Sequence, residues 1–299
     1  MKTFLNPPQI GANVLSVKAK IVCTIALFFL ASFLRAQLVL EPPAETFYKK
    51  ELTIARKVNG YIPIREADVI WAKRVYRKID LREKFNQSLY YPDVPTLSNK
   101  SLFDVIKQGI LAKEIYAFDN PVFDTEYKTK MSQEDLENLF FPIDSMEVED
   151  PNNPGTFVIM GSINELTSAN IKAWWVKEDW FFNKQSGTME VRINGLCPLK
   201  EKLDPTTGEV LGYMPLFWVY FPQCQPILAK TEVYNTKNYV QRISYDDLFR
   251  KRMFSSTIFK DSNVYDRSIN SYASGVDALL EAERIKEDIF NMEHDMWHL

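Results

Sequence analysis

The stretch Ile171–Asn183 reads IKAWWVKEDWFFN, and it restricts the fold more than any other part of the chain. Aromatic residues favour strands, and successive side chains of a strand point to opposite faces. Trp174, Trp175, Trp180, Phe181 and Phe182 therefore populate both faces, and a sheet built on this strand needs apolar cover on both sides. Helices can supply one cover; the second is another sheet, a subunit or a ligand, or both faces are buried within the monomer. A turn at 184–187 (KQSG) reverses the chain into 188–196, where Met189, Val191 and Ile193 alternate. A second turn, DPTTG at 204–208, leads into an extended run over 210–221. These segments predict an antiparallel β-meander.

Helices surround it, so the fold class is α+β. In 66–79 the apolar residues Val69, Ala72, Val75, Tyr76 and Ile79 recur at helical spacing and predict a helix. Leu89–Tyr91 reads as a short strand ending at Pro92, and 114–118 and 157–161 read as further strands. Ser101 with Asp104, Ser132 with Asp135 and Ser244 with Asp247 have the spacing of capping boxes and predict three helix starts. From about 276 to 297, Ala278, Ala282, Ile285, Ile289, Met292 and Met296 step by four and three, an a/d seam. Such a seam packs on its own domain or is offered to a neighbouring subunit. The dense turn formers of DPNNPG (150–155) mark a boundary between a helix-rich lobe, 66–150, and a strand-rich lobe, 151–299. The runs from Ser101 and Ser244, each with an aromatic pair and proline upstream, share offsets that suggest two related lobes.

The N-terminus has the grammar of a secretion signal. Lys2, Lys18 and Lys20 precede an apolar run at 21–34, Arg35 closes it, and Ala36 offers a cleavage point. The run is short of the roughly 20 apolar residues a spanning helix needs, so residues 1–36 read as a removable leader, with an uncleaved anchor as the alternative. Residues 37–65 read as an extended arm. Losing Lys2, Lys18, Lys20 and Arg35 from 36 basic residues leaves 32 against 39 acidic ones, a formal charge of −7. That mixed, mildly acidic surface excludes nucleic acid as a partner class. No later run reaches membrane-spanning length. Cys23 would leave with the leader and interrupts the apolar run, where a lipid-attachment cysteine would follow it. Cys197 and Cys224 remain, an even pair in an oxidising compartment. They either bridge neighbouring strands, closing a loop of about 27 residues worth about 3 kcal/mol, or stay as two buried thiols.

Catalytic patterns are sparse. The two histidines, His294 and His298, lie in the last six residues. Their i, i+4 spacing superficially resembles a zinc-protease pair, but Asp295 stands where that pattern needs Glu and no third ligand follows. A Ser–His or Cys–His system has no base in the body of the chain. Phosphate-cradling glycine loops are missing. Glu178-Asp179 and Asp246-Asp247 leave a carboxylate-based hydrolase open on residue types alone, although Asp247 has a capping role and strand alternation separates Glu178 from Asp179.

Three long stretches carry a resemblance: residues 68–92 (DVIWAKRVYRKIDLREKFNQSLYYP) with SLFDVIKQGI after them, 177–199 (KEDWFFNKQSGTMEVRINGLCPL) and 274–297 (SGVDALLEAERIKEDIFNMEHDMW). Together they resemble the GldN/PorN family of gliding-motility and type IX secretion proteins of Bacteroidota. The resemblance implies a non-enzymatic periplasmic structural subunit without cofactor or metal. It implies a ring formed with an outer-membrane lipoprotein, the K subunit, and engaged by the periplasmic domain of the inner-membrane motor's M subunit. A ring needs heterologous contacts, one patch against a different patch on the next copy. The candidate patches are Trp174, Trp175 and Trp180 on the aromatic strand and Ile285, Ile289, Met292, Met296 and Trp297 on the terminal helix. The rivals are an exported carboxylate hydrolase and a monomeric periplasmic cargo-binding protein.

Overall fold

The aromatic segment forms β5 (Ile171–Asn183), as its composition dictates, and β6 (Thr188–Leu203) returns beside it antiparallel. In the computed structural model the described residues are 58 and 60–296, apart from 97–98, 120–121, 123–125, 150–156, 205, 236–237 and 239; within 144–149, 157–160 and at 162 only the backbone is described. The leader, its cleavage site, most of the arm, the DPNNPG turn, Trp297 and His298 lie outside the described residues.

β5 and β6 are the centre of a seven-stranded antiparallel sheet in the order β11–β1–β5–β6–β8–β2, with β7 also paired to β6. Here β1 is Val69–Asp80, β2 Ala117–Phe118, β7 Val210–Pro215, β8 Trp218–Tyr220 and β11 Thr257–Asp261. Two small ribbons complete the strands, β3 (Ile143–Glu149) with β4 (Phe157–Ile163), and β9 (Glu232–Val233) with β10 (Ile243–Ser244). The helices are α1 (Gln87–Tyr90), α2 (Leu102–Leu111), α3 (Gln133–Phe140), α4 (Phe221–Lys230), α5 (Tyr245–Arg250) and α6 (Val276–Met296). The fold is α+β, with strands from both sides of the 150–156 segment running in one sheet.

Two local expectations are overturned. Residues 69–80 form not a helix but strand β1, hydrogen-bonded to β5 along its length and to β11 on its other side. The expected strand at Leu89–Tyr91 is the one-turn helix α1. The extended run expected to 221 breaks into β7 and β8, and Phe221-Pro222 opens α4 with proline in its first turn, where its missing N–H costs nothing. All three Ser–Asp starts hold: Ser101, Ser132 and Ser244 each accept a hydrogen bond from the backbone N–H three residues on. The shared offsets after Ser101 and Ser244 do not survive, because α2 runs through Ile110-Leu111 whereas α5 ends before Met253.

Both faces of the sheet carry buried apolar clusters within the subunit. On one face Trp174, Val176, Ile193 and Leu196 pack with α2, α4 and α5 in the main core. Further along the same face Val75 and Ile258 form a second cluster with Ala282, Ile285 and Ile289 of α6. Between them sits Glu178, fully buried, with 0% exposure. Arg77 donates to it from β1 at 3.1 Å, Arg252 from the turn after α5 at 3.1 Å, and the Trp180 indole N–H at 3.0 Å. The two guanidinium groups lie over the Trp180 ring, 5.8 and 5.2 Å from its centroid. Burial lowers the Arg77 pKa, Glu178 pulls it back up and the like charge of Arg252 pushes it down; an arginine remains charged through such a shift.

The opposite face carries Tyr76, Ala173, Cys197, Leu199 and Trp218, with Tyr127 and the neighbouring sheet residues Trp175, Tyr213 and Phe259 packed against them. Tyr127 closes this face by reaching down to Gly195, where even a methyl group would collide with its hydroxyl. Lys177, also on this face, sits 4.7 Å from the Tyr127 ring centroid.

The cysteine alternatives are resolved by the same geometry. Cys197 on β6 packs in the cluster opposite the helices, whereas Cys224 on α4 packs in the main helix-side core, and both are free thiols. Of the two alternatives the structure holds the buried thiols, because Cys224 stands on a helix against one face of the sheet while Cys197 points to the other. Burial pushes the Cys224 thiol up to about 12 and raises Cys197 as well, so neither offers a thiolate at neutral pH.

A thiol reagent should therefore label neither residue in the native mature chain and both after unfolding without reductant; a bridge would leave both unlabelled until reduction. Replacing Glu178 with alanine should cost about 3–5 kcal/mol in urea unfolding, because two arginines lose their buried counter-charge. Loss below about 1 kcal/mol would show that the network contributes little to the fold.

Candidate interaction surfaces

Strand alternation places the three expected tryptophans in different surroundings. Trp174 faces the helices and is fully buried, 1% exposed, so it is not available to a partner, contrary to its nomination. Trp175 points to the other face, half-buried and stacked on Phe259 with ring centroids 4.9 Å apart. Trp180 is half-buried between Arg77 and Arg252 and is engaged with Glu178. The sheet thus spends its aromatics on its own two covers.

The carboxylate pairs are likewise occupied. Glu178 and Asp179 leave β5 on opposite faces: Glu178 meets Arg77 and Arg252, and Asp179 takes a two-pronged contact from Arg74 at 2.7 and 3.0 Å and a hydrogen bond from Asn194. Asp247 closes the capping box of α5, and Asp246 pairs with Arg250 one turn on, at 3.0 Å. Burial raises the Asp246 carboxyl, an effect that Arg250 counters. Among the described residues no group of three or more His, Cys, Asp or Glu could hold a metal ion. This geometry supports structural ion pairing and not proton transfer to a substrate.

Helix α6 has two opposed stripes. The expected seam forms the inner one: Ala282, Ile285 and Ile289 are buried against β1 and β11, and Met292 and Met296 are half-buried beyond them. Ile285 and Ile289 are therefore core residues of this subunit and not a face for a neighbour. At 100° per residue, Val276, Leu279, Leu280, Glu283, Glu287 and Phe290 fall on the opposite side, and the four apolar ones are 59–71% exposed. This outer stripe was not among the expected patches; the signal was present in the i, i+3, i+4 spacing of Val276, Leu279 and Leu280.

A groove of about 950 Å³ opens at another place. Its walls come from the segment after β1 (Phe85, Tyr91), the β9–β10 ribbon (Val233) and the α5 region (Leu248, Met253), with Ile171 at the start of β5 also lining it. Tyr91 and Tyr234 pack together at its side, ring centroids 4.4 Å apart. Sequence reasoning did not find it, because its lining is drawn from three segments far apart in the chain.

Among the described residues no helix is long and apolar enough to cross a membrane. No curated protein matches the chain. A family described as gliding motility associated protein GldN matches residues 64–298. That span takes in every strand and helix described above, from β1 to α6, and the chain belongs to the GldN family of gliding-motility-associated proteins.

Proposed function

We propose that this chain is a non-enzymatic structural subunit in the periplasmic part of the type IX secretion and gliding machinery. It assembles into a ring with an outer-membrane lipoprotein, the K subunit, and couples that ring to the periplasmic domain of the motor's M subunit. The observation that carries this reading is the family match over residues 64–298. Three others support it. The N-terminal sequence has the form of an export signal without a lipidation cysteine after its apolar run, so a protein working at the outer membrane needs a partner to hold it there. The neighbouring carboxylates that a hydrolase would use are separated by the sheet and held by arginines. Exposed apolar residues include Val276, Leu279, Leu280 and Phe290 on one helix face and Phe85, Tyr91 and Met253 in one groove, surfaces suited to contacts with partners.

Native mass spectrometry of a detergent-solubilised envelope pull-down tests the proposal. A multimer that retains a lipoprotein is the expected product. Recovery of the chain as a free monomer from intact envelopes would overturn the ring and favour a monomeric cargo-binding protein.

A further inference from the structure

Two surfaces of this subunit complement each other but cannot meet within it. The groove is apolar at its centre, and the charged residues among its described lining are Arg82, Lys84 and Lys172, with no carboxylate. Arg82 is already paired with Asp80 at 2.9 Å, so Lys84 and Lys172 set the sign of the rim. Helix α6 has the reverse character. Its 21 residues include seven Asp or Glu and two Lys or Arg side chains, and its outer stripe places Glu283, exposed and paired at the surface with Lys286 at 2.8 Å, and the exposed Glu287 between apolar ends at Val276, Leu279, Leu280 and Phe290. From Val276 to Phe290 the stripe is about 21 Å long at ~1.5 Å per residue, and the groove has room for several large side chains.

The helix cannot turn this stripe toward its own subunit's groove. Ala282, Ile285 and Ile289 are buried on the opposite side of the same helix, against β1 and β11. Any groove that receives the stripe belongs to another molecule.

We infer that the outer face of α6 in one copy seats in the groove of the next, with Leu279, Leu280 and Phe290 against Phe85, Tyr91 and Met253, and Glu283 and Glu287 facing Lys84 and Lys172. The mode is an amphipathic helix in a hydrophobic groove, with rim charges fixing register more than affinity. Because helix and groove are different patches, the contact is heterologous. It propagates from copy to copy and closes into a ring or runs on as a filament. The inference rests on the proposed self-assembly and names the surfaces that would make it.

Single cysteines on the mature full-length chain test the contact directly, since the native Cys197 and Cys224 are buried. Leu280→Cys and Phe85→Cys replace side chains 63% and 61% exposed, so both variants should keep the native melting temperature. Mixing the two under mild oxidation should give a covalent dimer that neither forms alone. Adding Glu283→Lys and Glu287→Lys to the helix variant should reduce its yield roughly tenfold. Adding Lys84→Glu and Lys172→Glu to the groove variant should restore it. If the wild-type chain is recovered as a multimer from envelopes but the mixed cysteines do not join, this contact is wrong and the ring stands. If the wild type is itself a free monomer, the ring fails and this contact with it. A groove cysteine that joins instead to one placed in residues 37–57, or to the lipoprotein, also overturns the inference by naming a different occupant.

Discussion

The sheet of this protein is organised around one buried carboxylate. Glu178 lies in the middle of the aromatic strand β5 with no exposure to solvent, a position where an unpaired charge would cost several kcal/mol. The structure meets this demand by bringing Arg77 across from β1 and Arg252 back from the turn after α5, and by capping both with the Trp180 indole. Three segments separated by up to about 175 residues must therefore arrive in register at a single oxygen pair. The polar island also divides the helix-side core. The clusters under α2, α4 and α5 and under α6 stand on either side of it, so α6 is fastened through its own inner stripe and not through the main core.

That arrangement changes what the aromatic strand means. A strand apolar on both faces looks like an interface when only one cover can be foreseen. Here the second face is closed by Tyr127 and by contacts among the sheet's own aromatics, Trp175, Tyr213 of β7 and Phe259 of β11. It works because Gly195 lets the Tyr127 ring settle against the sheet and because lysines lie over ring faces at its edge, Lys78 over Tyr213 at 3.7 Å and Lys260 over Tyr76 at 5.2 Å. Long cationic side chains cover apolar surface with their stems while keeping their charge hydrated. With much of both sheet faces used in this way, the exposed apolar residues lie on the outer side of α6, in the groove and at the ends of β6 and β7, where Leu203, Val210, Leu211 and Met214 are exposed.

The elements legible in the sequence were those whose signals are local. The capped helices follow from Ser–Asp spacing, β5 from its composition, and α6 from a long seam. β1 was misread for a reason that lies outside its own residues. Its helix-facing side is Trp71, Lys73, Val75, Arg77 and Ile79, a period of two interrupted by two charges. Arg77 is buried there because Glu178 needs it and Lys73 is held by Asp261 at 3.1 Å, and neither partner can be known from β1 alone. Stripped of those partners, the remaining apolar residues fit a helical spacing better than a strand. The start of α4 was missed differently: an aromatic pair before proline serves equally well to end a strand or to open a helix, and only the packing of Cys224 and Leu228 into the main core decides between them.

Helix α6 shows how a sequence pattern can be right about structure and silent about function. The a/d seam was readable, and it is occupied. Once that side is known to be filled, the remaining apolar residues acquire a meaning they lacked before, since Val276, Leu279, Leu280 and Phe290 are left on the opposite side in water. Glu283 and Glu287 interrupt the stripe, so a search for continuous hydrophobicity passes over it. The same interruption suits a surface that must remain soluble before assembly and then meet a basic-rimmed groove, because acidic residues within an apolar stripe hinder association of like stripes while favouring a cationic partner. A helix anchored by one face and exposed by the other can present that second face rigidly, which lowers the ordering entropy that association must overcome.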